Sequence, residues 1–284
     1  MARVALVTDS TTYLPQEYLD QYPIHVVPAT IIWAGKELRD GVDIQPTEFY
    51  SRLKTSKEMP TTSQPSPVAV KEAYAALLAT GYDVLGIFIS HKLSGTFASA
   101  KQAQAMLPNE NIVVIDSLTG SMGAGWPILK AAQAAAKGAN LAECRAIAEG
   151  ALKNVGILLM VDTLEYLHRG GRIGSAQRFL GTALNFKPIL EVTDGEFVGL
   201  ERVRTRRKAL NRLVELLVER IQNRYPVHLA TLHANALDVA KDLLEKAASR
   251  VKPVETLISE VSPAVGVHLG PGTVGLAFMA GIKD

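Results

Sequence analysis

Val84-Leu85-Gly86-Ile87-Phe88-Ile89-Ser90-His91-Lys92-Leu93-Ser94-Gly95-Thr96 begins as an apolar run, breaks into a polar turn and opens directly into a helix. Six apolar residues bounded by a turn read as a buried strand. Units of the same kind lie on either side. Upstream, a strand over 4–7 ends in Thr8-Asp9-Ser10, and a helix starts near Pro15. Residues 24–33 read as one extended segment interrupted by Pro28, and a helix follows over 46–54. Ser66-Pro67 is a cap followed by proline at the first helical position, predicting a helix to Thr80 that stops at Gly81. Downstream, a helix over 96–107 and a strand over 112–115 lead to Asp116-Ser117, then to helices over 122–137 and 141–153. This alternation implies a largely parallel sheet covered on both faces. Its polar strand ends, Asp9-Ser10, Ser90 and Asp116-Ser117, gather at the carboxyl edge, where open α/β sheets take their ligands. Asp9 and Asp116 can equally serve only to organise loops.

The second half has a different texture. A strand over 157–161 feeds a short helix over 162–168, and Asp194-Gly195 between two apolar runs is a hairpin signal. Apolar residues at helical spacing over 205–223, strands over 227–232, 254–259 and 274–279, and a helix over 236–249 complete the pattern. The fold class expected is therefore α/β in two domains. One is an N-terminal parallel-sheet α/β domain over 1–154, the other a C-terminal α+β domain over 155–284.

The chain has 284 residues, 48% hydrophobic and 20% charged, with a formal charge of +2. That is globular composition, and the charge is too small to imply nucleic acid. Aromatic residues, at 6%, are too few for a base-stacking platform. The single Cys144 lies on the apolar face of a predicted helix and reads as a core thiol. No metal-ligand spacing links the six histidines. No apolar run approaches the ~20 residues of a membrane span. Met1-Ala2-Arg3 leads into a strand rather than a signal peptide, so a cytoplasmic protein is expected.

At the turn after the apolar strand, Ser94, Gly95 and Thr96 stand where free N–H groups and the positive helix end favour an anion. Gly95 would let a ligand approach the backbone. A second turn, Thr61-Thr62-Ser63-Gln64-Pro65-Ser66, can add hydroxyl donors. Neither turn carries the lysine of a phosphate-transfer loop, so a carboxylate or single phosphate suits them better than a nucleotide triphosphate. Ser94 and Ser66 can also be plain helix caps. Gly270-Pro271-Gly272-Thr273-Val274-Gly275 fits the dinucleotide fingerprint by letter but precedes a strand, not a helix, and that reading is rejected. Those glycines let the backbone approach a ligand or another loop beside His268, which reads as standing in a Gly/Pro-bounded turn. Ser94 and His268 could form a nucleophile and base, making a serine acyl hydrolase the alternative function. Arg202, Arg204, Arg206, Arg207 and Lys208 form a basic cluster that is either a solvated face or a dock for an acidic protein surface.

In order along the chain stand Thr8-Asp9-Ser10, Asp40-Gly41-Val42-Asp43, 61–66, Lys92-Leu93-Ser94-Gly95-Thr96, Asp116-Ser117, Leu164-Glu165-Tyr166-Leu167, 169–174, Lys187-Pro188-Ile189-Leu190 and His268-Leu269-Gly270-Pro271-Gly272. This series resembles the DegV family of bacterial fatty-acid-binding proteins over nearly the whole chain. The resemblance implies a long-chain fatty acid held between and within the two domains, its carboxylate on Thr62, Ser94 and His268, with no cofactor and no catalysis. His91 departs from the serine common at its position. Some members present their fatty acid to an ATP-using kinase subunit with a dihydroxyacetone-kinase-like domain, whose acyl phosphate product enters phospholipid synthesis. Met160, Leu164, Phe179, Leu184, Phe186 and Ile189 are candidates for the apolar tunnel, though core packing explains each equally well.

Overall fold

The computed structural model describes residues 3–108, 110–181 and 186–282. In the first half, β1 (Arg3–Asp9) passes through a 3-10 turn at Ser10–Thr12 into α1 (Gln16–Gln21). There follow β2 (Ile24–Val27), β3 (Thr30–Trp33), β4 (Lys36–Arg39), α2 (Pro46–Thr55), β5 (Thr61–Ser63) and α3 (Pro67–Ala79). Next come β6 (Tyr82–Phe88), α4 (Thr96–Ala105), β7 (Ile112–Asp116), α5 (Ser121–Ala136) and α6 (Leu141–Leu152). The second half runs β8 (Val155–Met160), α7 (Glu165–Arg169), a 3-10 stretch at Gly174–Phe179, β9 (Lys187–Thr193), β10 (Glu196–Val203) and α8 (Arg206–Ile221). It ends with β11 (Val227–His233), α9 (Leu237–Val251), β12 (Glu255–Glu260), α10 (Pro263–Leu269) and β13 (Val274–Ala280).

Three sheets result. A parallel sheet has the order β2-β1-β6-β7, a small antiparallel sheet the order β4-β3-β5, and a mixed sheet the order β10-β9-β8-β13-β11-β12. In the mixed sheet only β11 and β12 run parallel, joined by the α9 crossover. The expected fold class is thus the observed one: a parallel-sheet N-terminal part and a separate mixed sheet. Four local expectations change. The extended segment over 24–33 is two strands in different sheets, because the chain leaves the parallel sheet at Pro28-Ala29. Residues 36–39, not anticipated, form β4. The hydroxyl-rich turn begins with the short strand β5, paired to β3 with Ile31 opposite Thr62. The Gly/Pro-bounded turn around His268 is the helix α10, started by Pro263 at its first position and by Ser262, whose hydroxyl accepts from the Val265 N–H.

Strand periodicity explains the layering. On β6, Val84 and Phe88 join the cluster under α3 and α4, whereas Leu85 and Ile87 face the main core. On β8, Leu158 and Met160 lie under α8 and α9, whereas Ile157 and Leu159 face that same core from the other side. The core is therefore shared by the two large sheets, and α5 runs through it. Every residue of α5 from Ser121 to Ala132 is buried, Lys130 included, and the rest of that stretch is almost wholly apolar, as suits a helix between two sheets. Among the described residues, no helix is long and apolar enough to cross a membrane.

Close sheet packing sets one sharp sequence requirement. Gly275 on β13 faces Leu159 of β8, and an added Cβ would stand 2.3 Å from the Leu159 side chain and 2.5 Å from the Leu158 carbonyl oxygen. The backbone atom cannot swing away. Gly275→Ala is expected to lower unfolding stability by about 1–3 kcal/mol, measured by urea titration against the native chain.

Candidate functional site

A buried carboxylate at the end of β1 organises the region where the strands terminate. One oxygen of Asp9 accepts from the N–H and hydroxyl of Thr11, and the other accepts from the Ile89 N–H at 2.9 Å. Next to it, the Ser10 hydroxyl donates to Asp40 at 2.7 Å and accepts from the Ala29 N–H at 3.0 Å. The other oxygen of Asp40 accepts from the Ala264 N–H, at 3.3 Å, in the first turn of α10. Burial raises both carboxyls, Asp40 to about 7 with a further push from Asp9. Thr11, Ala29, Ile89 and Ala264 share one property. All four line a single cavity.

That cavity has a volume of about 70 Å³ and is also lined by Thr62, Ser63, Gln64, Leu93, Ser94, Thr96, Arg172, Phe197, Val265, His268 and Leu269. The three residues expected to hold a carboxylate, Thr62, Ser94 and His268, are therefore on one wall system although they come from β5, the β6–α4 turn and α10. Thr62 Oγ1 and His268 Nε2 share a 3.0 Å hydrogen bond. Ser94 Oγ shares one of 2.8 Å with Thr96 Oγ1 and accepts from the Thr96 N–H at 3.3 Å. Ser63 and Thr96 also line the cavity, but Thr61 is exposed on β5 outside it. Gly95 plays a different part from the one expected. A Cβ there would stand 2.9 Å from Gln64 Cδ, so the missing side chain makes room for the Gln64 amide. Ser66 is a helix cap, accepting from the Ala69 N–H.

One functional group was missed. Arg172, in the Gly-rich loop after α7, donates to the carbonyls of Gly170 at 2.6 Å and Leu93 at 3.0 Å. Those bonds engage Nε and Nη1 and fix the guanidinium at the cavity wall. The site therefore does contain a cation, contrary to the reading of hydroxyls and N–H groups alone. Burial, aided by the Arg172 charge, pushes His268 down to about 4. Its ring is neutral at pH 7, leaving one fixed positive charge for one anion. His268 Nδ1 is buried against Gly170 with no partner among the described residues. No hydrogen bond joins Ser94 to His268 among the described residues; the His268 ring is bonded through Nε2 to Thr62 instead.

Behind this polar end lies an apolar cavity of about 40 Å³ that shares Ile89, Leu93, Phe197, Val265 and Leu269 with the first. Ile157, Leu159, Val192, Leu232 and Val261 also line it, with Gly120 and Ser121 at the start of α5, between the two large sheets. The tunnel candidates read from sequence lie elsewhere. Met160 and Ile189 fill the core under α8, Leu164, Phe179 and Phe186 border a separate surface depression, and Leu184 falls outside the described residues. Among the described residues, no cluster of His, Cys, Asp and Glu is arranged to hold a metal ion.

Residues 3–281 match the family model described as uncharacterised protein, DegV family. This chain belongs to the DegV family. It is 36% identical to Protein DegV of Bacillus subtilis over 277 residues, 97% of this chain and 98% of that one. Among solved structures, a fatty-acid-binding DegV family protein from Thermus thermophilus superposes with a TM-score of 0.93 at 34% identity, covering 98% of this chain and 99% of that one. DegV of Bacillus subtilis, described as a fatty acid binding protein, gives a TM-score of 0.90 at 35% identity over 99% of this chain and the whole of the other.

Two further features fit the sequence motifs of this DegV-family chain. His91 bonds Asp116 through Nδ1, and Asp116 also accepts from the Leu118 N–H, so both organise the loop after β7. Gly270 and Gly272, at φ of +75° and +81°, admit the Tyr166 ring and the Asp162 carboxylate, so these glycines serve another loop. The depressed His268 gives a pH signature. The unfolded chain takes up a proton below about pH 6.5, and the folded chain does so only near 4. Stability from this group is thus complete above pH 6.5 and falls as pH drops toward 4. The melting temperature of delipidated protein should fall more steeply over that window than that of His268→Gln, and equal slopes would refute the assignment.

Proposed function

We propose that this chain binds one long-chain fatty acid, with its carboxylate on Thr62, Ser94, His268 and Arg172 and its acyl chain in the apolar cavity behind them. The observation that carries this reading is the adjacency of the two cavities: a polar end with a fixed cation, separated by shared side chains from a greasy interior. Fatty-acid binding by the solved DegV relatives supports it.

The energetics fit a fatty acid. Burial is worth about 0.8 kcal/mol per methylene, so a 16-carbon tail gains on the order of 10 kcal/mol gross. Association and ordering remove several kcal/mol of that. A buried carboxylate needs charge-assisted hydrogen bonds, and Arg172, the two hydroxyls and the imidazole can each donate one. The acyl chain also needs room. The cavities measure about 70 and 40 Å³, whereas about 150 Å³ accommodates benzene. Side chains that line both, Phe197 and Leu93 above all, must move for a tail to enter. Phe197 is well placed for that, because its strand leaves a hairpin tip tied to the β6–α4 turn by the Ser90 hydroxyl on the Gly195 carbonyl at 2.8 Å and by an exposed Lys92–Glu196 pair at 3.9 Å.

The basic segment supports a role in presenting the ligand to a kinase subunit that makes acyl phosphate for phospholipid synthesis in the cytoplasm. Arg202, Arg204, Arg207 and Lys208 are exposed, and Arg202 lies over the rings of Phe179 and Phe186 beside an open depression. Arg206 differs, being bound to Asp162 and to the Gly272 carbonyl. It belongs to the architecture rather than the dock. A division into domains at 154/155 fits the ligand site, since Thr62 and Ser94 come from one side of it and Arg172 and His268 from the other.

Native mass spectrometry of purified protein should reveal a bound long-chain acid, and a protein that stays empty after incubation with palmitate or oleate would overturn the reading. Ser94→Ala should weaken fatty-acid binding by about 1–3 kcal/mol, measured by titration calorimetry. Reversing the charge of Arg202, Arg204, Arg207 and Lys208 should abolish capture of the kinase subunit and leave fatty-acid affinity unchanged, as read by surface plasmon resonance.

A further inference from the structure

The mixed sheet divides at one end, beside the apolar cavity. β8 and β9 pair from Met160 opposite Ile189 to Leu158 opposite Glu191, and their ladder stops there. Both strands run on. β8 stays with β13 as far as Val155, and β9 stays with β10 as far as Thr193, so a split opens between residues 155–157 and 192–193. The hairpin tip beyond β9 is tied elsewhere, by the Ser90 hydroxyl on the Gly195 carbonyl, and a Cβ on Gly195 would stand 2.4 Å from Ser90 Oγ. Ile157 and Val192, one on each side of the split, both line the apolar cavity. Val192 also lines an open surface groove of about 670 Å³, together with Val155, Gly156 and Thr193 from the same two strand ends. It is only half-buried and is the one residue common to cavity and groove. Its cross-strand partner is Phe197, which lines the headgroup cavity as well as the apolar one. Three voids therefore follow one another, and this pair of facing residues stands at both divisions.

We propose that the split between β8 and β9 is a port for the far end of the acyl chain, and that the ligand class therefore includes acids carrying a bulky or polar group at that end. The inference rests on the fatty-acid reading above and deepens it. The two interior cavities, at about 70 and 40 Å³, fall short of the ~150 Å³ that takes one benzene ring. A chain that passes Phe197 meets Val192 next. No ladder bond joins the two strands across the split, so moving the Val192 side chain breaks no β8–β9 pairing. The groove beyond suits a chain end in contact with water, because its lining mixes Leu118, Leu152 and Phe278 with Lys153, Asp194 and Arg224. Thr62, Ser94, His268 and Arg172 line the other cavity and keep the carboxylate, so the port sets tolerance at the tail without touching the headgroup.

The test compares stearate with stearates carrying a doxyl ring near the carboxylate (5-doxylstearate) or near the methyl end (16-doxylstearate), by competition against a fluorescent fatty acid. The 16-doxyl acid should bind within about threefold of stearate, and about tenfold tighter than the 5-doxyl acid. Its bound label should be relaxed by a water-soluble nickel chelate, read by electron paramagnetic resonance. Val192→Trp, which fills the split, should weaken the 16-doxyl acid about tenfold and leave dodecanoate, whose shorter chain ends inside, unchanged. Thr193→Trp, at an exposed position in the same groove, should do the same and decides the matter where the first variant folds poorly. A 16-doxyl acid bound no better than the 5-doxyl acid would overturn the inference alone. So would a bound label shielded from nickel, or full affinity for the 16-doxyl acid in every folded tryptophan variant. Failure to bind stearate and dodecanoate would overturn the fatty-acid reading as well.

Discussion

Two buried carboxylates, Asp9 and Asp40, hold the site in shape. Neither faces a cation among its hydrogen-bond partners. Backbone N–H groups and the hydroxyls of Ser10 and Thr11 satisfy them instead. A buried carboxylate is expensive unless its lone pairs are taken, and here each bond fixes a segment that walls the ligand cavity. Thr11 follows β1, Ile89 follows β6, Ala29 starts the run into β3, and Ala264 lies in the first turn of α10. The fold brings four chain segments to one place, and this network sets their separations. His268 stands one turn further along α10 from Ala264, so its position depends on Asp40 without any direct bond.

This dependence explains which parts of the molecule could be read from the sequence. The strand–helix alternation was legible because β6 and its neighbours are long enough for their apolar runs and turn signals to be unambiguous. Thr62, Ser94 and His268 could be named together because the motifs that carry them resemble one family in one order. Composition and spacing did not bring them together. Arg172 was part of a quoted motif, yet its role was invisible, because it acts through carbonyls that only tertiary folding places beside it. α10 escaped notice for a different reason. Its seven residues include Gly266 and β-branched Val265 and Val267, which weaken any helical signal. β5 is only three residues long, too short for alternation to show.

The tunnel residues teach the same lesson from the other direction. Leu164, Phe179 and Phe186 were plausible because they are apolar and near quoted motifs. The residues that do wall the apolar cavity are set by how two sheets pack across α5, and alternation along β8 decides between Leu159, which faces it, and Met160, which does not. Periodicity assigns a residue to a face of its strand, but it cannot say which face will border a void.

The order of strands in the mixed sheet bears on how the chamber arises during synthesis. β13 lies between β8 and β11, yet it is the latest of the six in chain order. A ribosome releases the polypeptide from its amino end, so β8 and β11 emerge well before the strand that must join them. Until it arrives, β8 and β11 each lack the partner strand between them, and the mixed sheet that backs the apolar cavity is split in two. A nascent chain can assemble its parallel sheet early, but the mixed sheet closes only when the last strand has left the ribosome.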